Sequence, residues 1–162
     1  MDTKQLVLKL ALEAADQPMD VNSLDDRMRL QKAVYLLQAA GASLGYRYSW
    51  YLKGPYSTAL TQDYFALAEA KQQGDDDAGQ RSLKPEVLER IKAAAQVLRK
   101  PAAARALSLP SWLELLASLH YLATSEHFEG EALKRELSRR KPHLAATVEI
   151  GIEHLKKCNL LT

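Results

Sequence analysis

Apolar residues recur at helical spacing along most of the chain, and the interruptions mark where helices stop. Leu6, Val7, Leu10 and Ala14 follow a three-and-four spacing, which predicts a first amphipathic helix. The segment QPMDVNS then breaks it with Pro18 and polar residues. A second helix is expected after Ser23, whose hydroxyl can cap it, with Asp26 in the capping-box position and Asp25 favouring the positive helix end. Met28, Leu30, Val34, Tyr35 and Leu37 form its apolar face, Arg27, Arg29, Gln31 and Lys32 are left for the other face, and Gly41 supplies a stop.

The period then changes from helical to two. In YRYSWYLKGPYS, residues 46–57, Tyr46, Tyr48 and Trp50 alternate with Arg47, Ser49 and Tyr51, the pattern of a half-buried strand ended at Lys53-Gly54-Pro55. Ser57 can cap a third helix, which carries Leu60, Tyr64 and Leu67 on one face and closes at Gly74. After the acidic loop GDDDAGQ, Pro85 and Glu86 open a fourth helix with Val87 and Ile91 inward, interrupted at Pro101. Ser108 or Ser111 can cap SWLELLASLHYLATSE, whose Leu113, Leu116, Leu119 and Tyr121 make it the expected central core helix. EGEALKRELSRR and, beyond Lys141-Pro142, HLAATVEIGIEHLKKCNLL complete the helices. The pattern predicts a mainly α fold, a single compact helical domain over residues 1–162 with one short aromatic β-strand or hairpin.

Composition agrees with one ordinary core: 162 residues, 47% hydrophobic and 26% charged. Cys158 is the only cysteine, so the fold owes nothing to a disulfide and a cytoplasmic, reducing setting is expected. No run approaches the about 18 uninterrupted apolar residues of a membrane span, and the apolar N-terminal stretch is amphipathic and interrupted by Lys9 and Glu13. The net charge of +2 conceals an asymmetry. Residues 1–79 carry 8 Lys/Arg against 11 Asp/Glu, and residues 80–162 carry 14 against 9, so the second half is the one suited to meet a polyanion.

Candidate chemistry is sparse. His143 and His154 are 11 residues apart, too far to share one metal, and no cysteine pair or carboxylate cluster completes a site. Cys158 has only His154, Lys156 and Lys157 nearby and lacks an assembled base and orienting group. No catalytic residue, metal ligand or cofactor is assigned. Two surfaces remain. Tyr51, Lys53 and Tyr56 beside the Gly-Pro turn, flanked by Arg29 and Lys32, have the aromatic and basic composition of a protein interface. Lys134, Arg135, Arg139, Arg140 and Lys141 are concentrated enough to contact nucleic-acid phosphates, although Glu131 and Glu136 are interleaved with them.

RLQKAVYLLQ, followed by GYRYSWYLKGPYS and ALTQDYFAL, resembles the YwgA-like bacterial proteins and, more distantly, the Panacea or SocA-like antitoxin domain. The resemblance spans roughly residues 27–68 within a family-like core of about 22–73, and helices over 85–160 would complete the bundle. It implies a non-enzymatic, antitoxin-like or regulatory module that binds a protein partner, a toxin or a regulatory target. The alternative is a winged-helix-like DNA-binding regulator using the Lys134–Lys141 cluster. A homodimer is left open.

Overall fold

Capping chemistry sets where most of the helices begin. In the computed structural model, which describes residues 1–162, Asp2 and Gln5 form a reciprocal capping box at α1 (Thr3–Ala14), and Ser23 and Asp26 form another at α2 (Leu24–Ala39). A two-stranded antiparallel hairpin follows, β1 (Ser49–Tyr51) with β2 (Gly54–Tyr56), in which Trp50 lies opposite Pro55. The Ser57 hydroxyl accepts from the Leu60 amide at the start of α3 (Thr58–Gln73), and left-handed Gly74 closes that helix. Pro85 opens α4 (Pro85–Ala94), which tightens into 3-10 turns at Ala95–Leu98 and Ala102–Ala104 on either side of Pro101. Ser108, not Ser111, caps α5 (Leu109–Thr124). Then come α6 (Gly130–Arg140), a 3-10 segment over Pro142–Thr147 and α7 (Val148–Lys157).

α5 occupies the centre: every residue from Trp112 to Leu119 is buried, as expected of a helix enclosed on all sides. α7 lies close against it. A Cβ built on Gly151 would come within 2.8 Å of Leu119 Cδ1 and 2.9 Å of Leu115 Cδ2, so any other residue here would have to push these core leucines aside. One contiguous cluster of buried apolar side chains draws on every helix, including Leu8, Leu36, Leu60, Ile91, Leu115, Leu137 and Leu155.

Two details of the sequence reading change. In α1 the buried stripe is Leu8, Ala11, Leu12 and Ala15 together with Leu6, while Val7, Leu10 and Ala14 are only half-buried. α2 has no polar face along most of its length, because Arg29 through Leu37 are all buried. Its polar side chains reach that depth because each finds a fixed acceptor. The Arg29 guanidinium donates to the Pro18 carbonyl at 2.5 Å and to Gln17 Oε1 at 3.1 Å, and Lys32 Nζ donates to the Pro55 carbonyl at 2.7 Å. The alternation read at 46–51 is present and longer than expected. Ala42, Leu44 and Tyr46 are buried and Tyr48 and Trp50 half-buried, while the odd-numbered residues between them are exposed. Only its last three residues enter the ladder.

No helix is long and apolar enough to cross a membrane.

Candidate functional site

Two buried lysines hold the hairpin by its backbone. Lys32 from α2 takes the Pro55 carbonyl, and Lys141, just past α6, donates to the Leu52 carbonyl at 3.2 Å and pairs with Glu114 of α5 at 3.0 Å. Gln31 adds a two-point clamp, donating to the Ser57 carbonyl at 3.0 Å and accepting from the Ser57 amide at 2.9 Å. Gly54 is left-handed (φ +94°), and a Cβ there would sit 2.6 Å from Ser118 Oγ, so the hairpin backbone rests directly on α5. Trp50 braces the outer strand, with the Arg140 guanidinium 4.8 Å from its ring and Tyr121 beside it.

With its carbonyls directed inward, the hairpin tip presents its side chains to solvent. Leu52 is 80% exposed and Tyr51 58%, and the ring of Tyr51 lies 5.3 Å from that of Tyr56. The tip faces Leu24 and Met28 from the first turns of α2 and Phe65 from α3, enclosing an apolar groove of about 330 Å³. Leu24 and Phe65 are 59% and 46% exposed, so four of the five large exposed apolar side chains of the protein line this one groove. Such concentration is the mark of an interaction site, whereas scattered exposed apolar residues mean nothing. The Thr61 hydroxyl donates to Tyr56 Oη at 2.6 Å and accepts from Gln31 at 2.9 Å, fixing the Tyr56 ring in the wall.

The charges around the groove are of one sign. Its lining contains Arg27, Lys32 and Lys53 and no carboxylate. Burial, then repulsion from Lys141 and Lys53 against the attraction of Glu114, pushes the Lys32 amine down to about 7. Between this value and the ordinary lysine range the unfolded chain binds more protons than the folded one, so this amine makes stability rise with pH across that window. We expect urea midpoints of the wild type to climb from about pH 7 to about pH 9.5 relative to those of Lys32→Met. Parallel curves would show that Lys32 is not held in this way.

The structure divides the sequence-predicted residues. Tyr51, Lys53 and Tyr56 lie together at the groove. Arg29 and Lys32 do not flank it as an exposed face: they are 6% and 1% exposed, Arg29 is committed to the α1–α2 connection, and Lys32 forms the floor. The basic cluster is largely consumed by internal pairing. Lys134 bonds Glu131 and Glu149, each at 3.2 Å, and Arg139 bonds Glu136. Arg140 bonds Glu126 and Glu136, each at 2.7 Å, and Lys141, 3% exposed, is buried against Glu114. Only Arg135 of the five is exposed without an acidic partner. Leu24, Leu52 and Phe65 were missed by sequence reasoning. Phe65 carried a signal, since it stands off the Leu60–Tyr64–Leu67 stripe of α3 and has no place in its core face.

The remaining reactive groups are scattered. His143 contacts Glu114 at 3.2 Å, whereas His154 bonds the Val97 carbonyl and stacks edge-on against Trp112. Cys158 Sγ lies 3.7 Å from His154 Nε2, but burial pushes the thiol up, away from the thiolate a nucleophile needs. No three His, Cys, Asp or Glu side chains cluster closely enough to hold a metal ion. Comparison with protein-family models, with curated proteins and with solved structures gives no match, so the chemistry of the groove carries its own interpretation.

Proposed function

We propose that the protein is a non-enzymatic binding module, antitoxin-like or regulatory, that takes a protein partner in the groove between the hairpin tip, α2 and α3. The observation that carries this reading is the gathering of Leu24, Tyr51, Leu52 and Phe65 around a single depression on a surface otherwise nearly free of large apolar groups. Tyrosine anchors beside an arginine are the composition of interface hot spots, and Tyr51 and Tyr56 stand beside Arg27 here. With Arg27 and Lys53 at the groove and no acid among its lining residues, the fitting occupant is an apolar partner segment that carries a carboxylate next to its anchor side chain. The α6 cations support a DNA-binding reading less well, because Glu126, Glu131, Glu136 and Glu149 already neutralise most of them.

Site-specific photo-cross-linking in the protein's own cells tests this. A photoreactive side chain at Leu52 or Phe65 should yield one discrete protein adduct, and the same group at Arg135 should yield neither that adduct nor a nucleic-acid adduct. A nucleic-acid adduct at Arg135 with none at the groove would reverse the assignment.

A further inference from the structure

The basic character of the second half of the chain resides in one segment. Residues 80–105 contain seven Lys/Arg against two Asp/Glu, whereas residues 106–162 contain seven of each. The whole excess of +5 therefore belongs to residues 80–105, the loop before α4, α4 itself and the turns after it, and residues 106–162 add no net charge. All seven cations of this segment are exposed and none forms an ion pair. Where they are held, the acceptors are neutral: Arg99 bonds Gln96 at 3.4 Å and Lys100 bonds the Leu107 carbonyl at 2.5 Å, so their charge is uncompensated.

Three of these cations converge. Lys92, Arg99 and Lys100 line a groove of about 640 Å³ between the end of α1, the 3-10 turn at Ala95–Leu98 and the start of α5, with Asp16 the single carboxylate in its wall. Its relief is low. Ala14, Ala15 and Ala95 line it between the cations, so few long side chains stand between them and an approaching backbone. No aromatic residue lines the groove and Leu109 is its one exposed large apolar side chain, which distinguishes it from the hairpin site and leaves nothing to stack on a base. Unpaired cations along an open groove with no aromatic lining suit repeated backbone charges and carry no means of reading sequence.

We propose that this face, centred on Lys92, Arg99 and Lys100, binds the phosphodiester backbone of double-stranded nucleic acid without sequence preference. It shares no residue with the hairpin groove, and the two surfaces stand or fall separately.

Fluorescence anisotropy with a short duplex of arbitrary sequence, at salt from about 50 to about 200 mM, tests the assignment. The wild type should bind at low salt with a log-log salt slope of about −3, one phosphate per converging cation. The charge reversal K92E/R99E/K100E should weaken binding at least about tenfold and flatten the slope towards zero, and the neutral K92Q/R99Q/K100Q should fall between. Arg135→Glu should leave the slope unchanged to within about half a unit. The neutral variant guards against misfolding, since it introduces no new charge and should melt with the wild type. The proposal is overturned by absence of duplex binding at low salt, by an unchanged slope in both triple variants, or by a polyglutamate competitor as effective as duplex at equal charge.

Discussion

Glu114→Gln is expected to cost about 3 kcal/mol or more of folding stability, although the substitution preserves shape and volume. Glu114 is 2% exposed and its carboxylate stands between the Lys141 ammonium at 3.0 Å and the His143 ring at 3.2 Å. Removing its charge strands a buried ammonium whose other partner is the Leu52 carbonyl. An intact buried pair contributes little net stability, because desolvation offsets attraction, but a broken one leaves the full desolvation cost exposed. The same logic predicts rescue. Adding Lys141→Met to Glu114→Gln should recover more than half of the loss, at the expense of the bond to the hairpin. Denaturant melts of the two single variants and the double variant give the coupling directly. A loss below about 0.5 kcal/mol in Glu114→Gln would show that the pair does not matter to the fold.

The hairpin tip is thus positioned by groups that no local pattern could reveal. The Ser23 and Ser57 caps are legible because a cap involves residues three positions apart, Ser108 is legible only as one of two candidates with Ser111, and the alternation from Tyr46 to Trp50 is legible because it reports one face of one segment. Arg29 and Lys32 were assigned to a solvent face because periodicity weighs a charged side chain as exposed. Their acceptors, the carbonyls of Pro18 and Pro55, lie 11 and 23 positions away, and only the assembled fold brings them within reach. Lys134 and Arg140 misled for a related reason. Glu131 and Glu136 were visible as helical neighbours, but Glu149 and Glu126 come from outside α6 and complete the neutralisation. The groove was only half legible. Tyr51, Lys53 and Tyr56 are contiguous enough to draw notice, whereas Leu24 and Phe65 join them from two different helices.

The second large effect concerns binding. Leu52→Asp with Phe65→Asp should weaken partner affinity by at least about 100-fold, because burying one Leu or Phe side chain contributes about 1.5–3 kcal/mol and two anchors are lost together. The new carboxylates would also compete for Arg27 and Lys53, the groups offered to the partner's own acid. Stability should move far less than affinity. Leu52 is 80% exposed and neither residue belongs to the buried core, but Phe65 is 46% exposed and packs on Tyr64, so the loss should stay within about 1–2 kcal/mol. Affinity and stability are therefore expected to separate, which does not happen when a substitution acts by loosening the fold.

The most direct test is calorimetric titration of the protein cross-linked at Leu52 into wild type and into the Leu52→Asp, Phe65→Asp variant, with thermal melts of both. A stoichiometric complex with the wild type, lost or weakened at least about 100-fold in a variant that melts cooperatively and is fully folded at the assay temperature, is the predicted result. Equal affinity for both proteins would contradict the account and leave the groove an apolar depression without a partner.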